Sequence, residues 1–321
     1  MAPKKKPAKA AEGEVDLFEE FQKKYKQNEK TYDTPKLHEV QEIISRIVDD
    51  GEDVFSWNFS REFDSMAFRI LFMSLRQAGL NTIRAVRVWK CNGGDESVRS
   101  VCYYLDNPQC PAVEDLQFTD NGLTELGCEF LGKTLGPSGN KTINYLKLDF
   151  NQFGTRGVEK LSYGLSQNAT LRHLSLQYCG IGEDGGQYIA HILMFIRNAL
   201  EVLQLRGNYL RNQGIEDVFR GARRTKCLRQ LDVFDNKFSD TPQVIEAIKD
   251  LFANNTKLED YNLAGNQISD EGAGKLVAGM IGHPHLKNVL VPERCSLKTF
   301  EALELTLQAG KGKKGKKGKK K

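Results

Sequence analysis

Two glycine-rich segments have the spacing of nucleotide-binding loops. Residues 127–134, GCEFLGKT, satisfy the pattern of a phosphate-binding loop, in which backbone amides surround the phosphates and the lysine neutralises them. Residues 180–185, GIGEDG, satisfy the dinucleotide pattern, in which glycines let the backbone approach a pyrophosphate. Either motif binds a nucleotide only if it forms the turn between a buried strand and a helix. The surrounding elements therefore decide what these residues do.

The other reactive side chains form no recognisable constellation in the sequence. The pair His283 and His285 has no neighbouring cysteine or cluster of acids that would complete a metal site. The chain has no G-x-S-x-G nucleophile elbow, and its seven cysteines include no C-x-x-C pair. An odd number of unpaired cysteines suits a reducing compartment better than a disulfide framework. We expect no catalytic residue, no metal site and no cofactor.

An internal repeat predicts the elements that position these segments. The sequence INYLKLDFN at residues 143–151 is one of eight copies of a repeat, of which five are strong and three are weak. Their last residues are 91, 121, 151, 179, 208, 236, 266 and 294. Apolar alternation within each copy predicts a short strand, and the helical spacing that follows predicts an amphipathic helix. One strand and one helix every 28–30 residues indicates stacked units that bury one continuous core.

This unit resembles the leucine-rich repeat of the ribonuclease-inhibitor-like subfamily, in its length and in the Asn or Cys at its last position. The resemblance covers residues 80–306 and implies an α/β horseshoe, a solenoid with a parallel concave sheet and outer helices. We name the last residue of each copy the ladder position; its side chain is expected to turn inward and bond buried backbone groups. Arg294 departs from this pattern and marks a terminal repeat that closes the core.

The repeat offers a simpler account of both glycine-rich motifs. Gly127 and Gly185 are the repeat glycine, which is Gly157 in the copy between them, and Ile181 aligns with the buried residue that Phe153 represents in the preceding copy. In this frame the segment GCEFLGKT lies within a helix whose amides are already bonded. We therefore expect neither motif to bind a nucleotide.

The predicted domain organisation has four parts. A disordered lysine-rich tail at 1–14 precedes a helical N-terminal cap at 15–80, about eight leucine-rich repeats at 81–306 and a disordered Gly/Lys tail at 307–321. Within the cap, residues 54–57 fit the strand of a degenerate extra repeat. The cap either only covers the first repeat or presents a docking helix at 15–30, and the sequence leaves both open.

The net charge of +4 is unevenly distributed. The two tails together carry +10, which leaves −6 for residues 15–310. The last eleven residues contain eight lysines, which predict binding to an anionic polymer or surface: Lys311, Lys313, Lys314, Lys316, Lys317, Lys319, Lys320 and Lys321. Among such partners we favour the acidic tails of tubulin over nucleic acid or acidic lipid; a tail that only aids solubility is the alternative.

Side chains between the core leucines are expected on the concave face. The candidate partner-binding residues there are Trp89, Tyr145, Phe150, Tyr178, Arg206 and Phe234. Their predicted polar neighbours are Lys147, Asp149, Asp232 and Asp260. Exposed aromatics are typical of interaction anchors, and the alternative is that they pack against one another.

These features indicate a non-enzymatic interaction scaffold. No apolar run reaches the ~20 residues of a membrane span, and the N-terminal lysines lack the apolar segment of a signal peptide, so we expect a cytoplasmic location. Basic tails on a short repeat array look most like those of cytoskeletal or ciliary axoneme proteins. The alternatives are a small-GTPase regulator, as in Ran GTPase activators, and a nucleic-acid-associated adaptor. The Gly/Lys tail argues against the GTPase regulator, which typically has an acidic region there.

Overall fold

The structure, a computed structural model, describes residues 16–107 and 112–312. Its elements begin with three helices and one strand and then alternate strictly between strand and helix. In chain order they are α1 Leu17–Tyr32, α2 His38–Val48, β1 Ser56–Phe59, α3 Ser65–Ala78, β2 Ala85–Trp89, α4 Gly94–Leu105, β3 Asp115–Thr119, α5 Glu125–Thr134, β4 Tyr145–Lys147, α6 Gly154–Leu165, β5 His173–Ser175, α7 Gly185–Leu193, β6 Val202–Gln204, α8 Arg211–Ala222, β7 Gln230–Asp232, α9 Pro242–Asn254, β8 Asp260–Asn262, α10 Asp270–Met280, β9 Asn288–Leu290 and α11 Leu297–Gly312.

The strands form one parallel sheet in the order of the chain. Each strand from β1 to β8 pairs with the next, so the described part of the chain contains a nine-stranded sheet. Neighbouring strands lie about 4.8 Å apart, whereas packed helices need about 8–10 Å. Because each repeat adds one strand and one helix, the stack must curve with its strands inside. The predicted α/β solenoid with a concave sheet is confirmed.

The core lies between the sheet and the helices. One residue from every strand points into it at the same register: Trp57, Val86, Leu116, Leu146, Leu174, Leu203, Leu231, Tyr261 and Val289. These side chains and the apolar faces of the helices form one continuous cluster. Burial of apolar area along this stack is the main stabilising term of a solenoid.

Ladder residues join each repeat to the one before it. The Asn151 amide donates to the carbonyls of Phe118 (2.7 Å) and Leu148 (2.8 Å), and its Oδ1 accepts from the backbone N–H groups of Asn121 (2.9 Å) and Leu123 (3.1 Å). At the eighth position the Arg294 guanidinium instead donates to carbonyls of the preceding repeat. Without these bonds, the backbone groups at each turn would be buried and unpaired.

A second row of asparagines, which sequence reasoning missed, lies at the turns between helix and strand. Asn140 is buried, and its Oδ1 accepts from the N–H groups of Thr142 (2.9 Å) and Ile143 (3.0 Å). Asn168 makes the same contacts and donates to the carbonyl of Leu135. These residues stabilise the edge of the core where each new strand begins.

The N-terminal part contributes a strand as well as helices. β1 pairs with β2, which gives the sheet a strand within the interval where the sequence predicts the cap. Trp57 of β1 is buried against Phe21 of α1, with ring centroids 5.6 Å apart and an interplanar angle of 67°. Helix α1 thus packs its apolar residues against β1, the strand that precedes the first predicted repeat.

The C-terminal boundary differs from the predicted one. Helix α11 continues to Gly312, past residue 307, because Leu307 packs partly against the core. Of the predicted tails, residues 1–14 and 313–321 lie outside the described residues. Among the residues that the structure describes, no helix is long and apolar enough to cross a membrane.

The first of the two glycine-rich motifs serves helix packing. The segment GCEFLGKT lies wholly within α5, where the Lys133 Nζ pairs with the Glu129 carboxylate at 2.6 Å. A Cβ at Gly132 would approach the backbone carbonyl of Lys160 in α6, and one at Gly164 would overlap Gly132. Glycine therefore permits two neighbouring helices to approach closely, which is a structural reason for the motif.

Candidate protein-interaction surface

The uncovered side of the sheet, which we call the sheet face, presents two rows of side chains. In the first row the paired residues are Ser56, Ala85, Asp115, Tyr145, His173, Val202, Gln230, Asp260 and Asn288. In the second row they are Asn58, Arg87, Gln117, Lys147, Ser175, Gln204, Asp232, Asn262 and Leu290. The register, set by the core residues between the rows, fixes which side chains are neighbours.

Two candidate aromatics lie in the turns just after their strands. Phe150 and Tyr178, each directly before a ladder residue, have φ values of 61° and 53°. The equivalent positions carry glycine at 207 and 265, and Lys90, Asp120 and Asp235 adopt the same left-handed conformation. The conformation therefore belongs to the turn of the repeat, and the aromatic rings are what distinguishes positions 150 and 178.

Phe150 and Tyr178 form a stacked pair on this surface. Their ring centroids are 4.9 Å apart and the rings are inclined by 11°. Phe150 is 49% exposed, whereas Tyr178 is half-buried because its ring lies on the backbone of Gly207, where a Cβ would overlap it. The pair presents a rigid aromatic plate to a partner.

The remaining candidates occupy three other places. Tyr145 stacks on His173 at 4.1 Å with an interplanar angle of 15°, and the Arg206 guanidinium lies 4.7 Å from the Phe234 ring centroid. Phe234 is half-buried because its ring packs on Gly265, so full exposure was the wrong expectation for it and for Tyr178. Trp89, at the end of β2, is 54% exposed.

Asp149, predicted as a polar residue of the binding surface, is buried instead. Only 1% of it is exposed, and its carboxylate accepts from the Ser175 hydroxyl (2.6 Å) and from the backbone N–H of Gln177 (2.9 Å). Charged groups are buried only when they are paired, and Asp149 is paired through these donors and through Lys147 at 3.6 Å. It orients its neighbours rather than contacting a partner.

Asp232 and Asp260 do lie on the sheet face and are half-buried. Asp232 pairs with Arg206 at 3.1 Å. Asp260 accepts from the amides of Gln230 (3.1 Å) and Asn288 (2.5 Å). The carboxylates in the C-terminal half of the sheet face are therefore bonded to neighbouring polar side chains.

His173 is a residue of the sheet face that sequence reasoning did not single out. Burial lowers its pKa, which keeps the imidazole neutral near pH 7, and burial also raises the pKa of the stacked Tyr145. The pair thus behaves as a second, uncharged plate. The alignment of the repeats contained the signal, because His173 takes the strand position of Tyr145 one copy later.

Reactive groups for covalent or metal chemistry are not assembled among the residues that the structure describes. No three His, Cys, Asp or Glu side chains come together there as a potential metal site. Burial raises the pKa of the Cys91 thiol to about 11 and that of Cys102 to about 12, which disfavours the reactive thiolate.

Comparison with known proteins agrees with this geometry. A family model described as "Leucine Rich repeat" matches residues 139–162, 167–190 and 254–277, and each match spans one strand and most of the helix after it. The chain is a leucine-rich repeat protein. Proteins of this architecture use their extended concave surfaces to bind other proteins.

Its repeats are of the ribonuclease-inhibitor-like type. The chain is 28% identical over 225 residues to the ribonuclease inhibitor of Sus scrofa, which covers 68% of this chain and 47% of the relative. It is 29% identical over 196 residues to human NACHT, LRR and PYD domains-containing protein 14, covering 60% of this chain and 17% of that protein. The chain spans less than half the length of these two relatives.

A solved structure of an internalin from Listeria monocytogenes is also similar. The match covers 83% of this chain and 92% of the internalin chain, with 11% sequence identity and a TM-score of 0.34.

Proposed function

We propose that this leucine-rich repeat protein is a non-enzymatic scaffold that binds a protein partner on its sheet face. The observation that supports this most is the Phe150–Tyr178 plate. Two large rings stack on each other in the turns after β4 and β5, and Phe150 remains half exposed. Exposed rigid aromatics lose little conformational entropy when a partner covers them and are frequent hot spots of interfaces.

The other predicted contact residues extend this surface in both directions. Trp89 lies towards the N-terminal repeats, Tyr145 stacks on His173 at the start of strands β4 and β5, and Arg206 with Phe234 lies towards the C-terminal repeats. Aromatic and arginine side chains are the residue types that carry most of the energy of protein interfaces. We propose that a partner contacts several of these groups at once.

We further propose that the lysine tails attach the scaffold to an anionic polymer. The charge of +10 in the tails, against −6 in residues 15–310, concentrates this attraction at the ends of the chain. Acidic tails of tubulin are the polymer we favour, which would make the protein a structural component of the cytoskeleton or ciliary axoneme. The basic composition supports an anionic partner, and the choice of tubulin rests on the resemblance of the sequence.

The aromatic plate is tested by substitution. A partner identified by crosslinking of the native protein is purified, and its affinity is measured for the parent and for a Phe150→Ala/Tyr178→Ala double variant. We expect the free energy of binding to become less favourable by about 2 kcal/mol or more, with little change in the melting temperature.

The matched control replaces two exposed aromatics on the helical side, Tyr103→Ala/Tyr163→Ala. This control should bind the partner like the parent. If the two double variants lose affinity equally, or if the Phe150/Tyr178 variant loses none, the proposed binding surface is wrong.

A further inference from the structure

A cavity of about 340 Å³ opens on the sheet face across strands β1 to β4. Its floor is the N-terminal part of the second row, in which Asn58, Arg87, Gln117 and Lys147 occupy the same register of four successive strands. Trp89 contributes to its wall. The cavity is large enough for one or two side chains of a partner.

The cavity is lined by two cations and, among the described residues, by no carboxylate. Arg87 and Lys147 lie two strands apart, on either side of Gln117, which places their Cα atoms about 10 Å from each other. Two flexible cationic side chains at this separation reach a single group placed between them. Charge complementarity thus favours an anion in the cavity.

Carboxylates adjoining the cavity hold the two cations in place. Asp115 accepts from the Arg87 Nε (2.8 Å) and Nη2 (2.6 Å) and from the Gln117 amide. These contacts with described residues do not use the Arg87 Nη1. Lys147 lies 3.6 Å from the Asp149 carboxylate, beyond a normal hydrogen bond, so its N–H groups are available to a ligand. Because each cation is partly neutralised, the cavity suits a singly charged anion better than a doubly charged one.

We propose that this cavity receives an aspartate or glutamate side chain of the protein partner, with the neighbouring part of the partner packed on Trp89. The occupant is an extended acidic segment, since the cavity is too small for a folded element and lies open along the strands. A carboxylate there gains charge-assisted hydrogen bonds from Arg87 and Lys147. This inference rests on the proposed function, because it names the chemistry of a partner for the same surface.

Trp89 gives the test an intrinsic probe. The chain has two tryptophans, and Trp57 is only 1% exposed, so quenching of tryptophan fluorescence by acrylamide reports mainly on Trp89. The full chain is titrated with acetylated and amidated hexaglutamate, and hexalysine serves as the opposite charge. We expect hexaglutamate to shield Trp89 from acrylamide and hexalysine not to do so.

Variants assign the response to the cavity. Arg87→Gln/Lys147→Gln should weaken the hexaglutamate response at least tenfold. The control Arg99→Gln/Lys133→Gln removes the same two charge types from helices α4 and α5 and should respond like the parent. Binding of hexaglutamate to the lysine tails should be the same in the parent and in these variants. Asn58→Glu, which adds an acid to the exposed edge of the cavity, should also weaken the response, whereas Asn288→Glu at the opposite edge of the sheet should not.

The inference is overturned if Trp89 is not shielded, if hexalysine shields it equally, or if both charge-removing variants weaken the response alike. If Arg87→Gln/Lys147→Gln fails to fold, Asn58→Glu against Asn288→Glu decides the matter. The Phe150→Ala/Tyr178→Ala variant should keep the hexaglutamate response. A negative result in the cavity therefore leaves the plate intact as the binding site, and a negative result for the plate does not alter the cavity test.

Discussion

Asn151 shows how a single side chain joins two repeats. Its amide reaches five backbone groups, on both sides of the turn, in a place that water does not enter. No apolar residue satisfies these groups, and serine or threonine is too short to reach them all. The ladder position is thus determined by hydrogen bonding rather than by packing.

Replacement of this amide should therefore destabilise the fold. We expect Asn151→Ala to lower the free energy of unfolding by about 1–3 kcal/mol, because buried donors and acceptors lose their partners. Asn254→Ala is the control: that side chain is exposed and bonds only within its helix, so its effect should stay within about 0.5 kcal/mol. Urea unfolding measures both, and equal losses would contradict the role of the ladder.

His283 takes the place of asparagine in the row of buried asparagines at the turns between helix and strand, at the turn before β9. Its Nδ1 accepts from the N–H of Leu286 (3.1 Å), and its Nε2 lies 2.8 Å from the carbonyl of Asn255. A neutral imidazole that accepts through Nδ1 and donates through Nε2 fits this site, and a protonated Nδ1 does not. Burial accordingly lowers the pKa of His283 below its ordinary value of 6.5.

This histidine should make stability depend on pH. The unfolded chain binds the proton at higher pH than the folded chain, so the contribution is present above pH ~6.5 and is lost as the pH falls below it. We expect the melting temperature to drop less between pH 7 and pH 5 in His283→Asn than in the parent. Both chains keep His173, so that residue does not affect the comparison. Identical pH profiles would contradict the prediction, because they would show that His283 titrates alike in the folded and the unfolded chain.

At the scale of elements, glycines set the distance between helices α5 and α6. Gly164 of α6 lies against the backbone of Gly132 in α5, and Gly186 of α7 lies in the same way against Gly214 of α8. Side chains at these points would force the helices apart and open the core beneath them. The letters of a phosphate-binding loop thus arise here from a packing requirement.

Gly164→Ala should then be destabilising although alanine favours helices. We expect a loss of about 1–3 kcal/mol from overpacking. The control Gly274→Ala lies in α10, where an added Cβ meets nothing within 4 Å, so it should stabilise by about 0.5–1 kcal/mol. Thermal unfolding distinguishes them, and stabilisation by both substitutions would contradict the close helix contact.

The repeat period predicted the elements well, because strand and helix each leave a regular apolar pattern. Contacts between copies were harder to predict. Whether Tyr178 is exposed depends on the glycine at 207, and the burial of Asp149 depends on Ser175 and Gln177 in the next copy. Such features follow from residues about 28 positions apart that stacking brings together, which no local pattern contains.

At the scale of the whole molecule, the proposed tail attachment should depend strongly on salt. Binding of lysines to an anionic polymer releases counterions, so affinity falls steeply as salt rises. We expect co-sedimentation of the full chain with microtubules to weaken between 50 and 200 mM salt, on the scale over which counterion release is usually tested. Deletion of residues 313–321 should remove most of this dependence. If the affinity of the shortened chain fell just as steeply with salt, the attraction would belong to residues 15–310 instead.

The central claim, that the sheet face binds the partner, is tested most directly by hydroxyl-radical footprinting. The oxidation rates of exposed side chains are compared by mass spectrometry for the free chain and for its complex with the purified partner. We expect Trp89 and Phe150 to be protected, and Tyr103 and Tyr163 on the helices to react as in the free chain. Protection of Tyr103 and Tyr163, with Trp89 and Phe150 unchanged, would contradict the account.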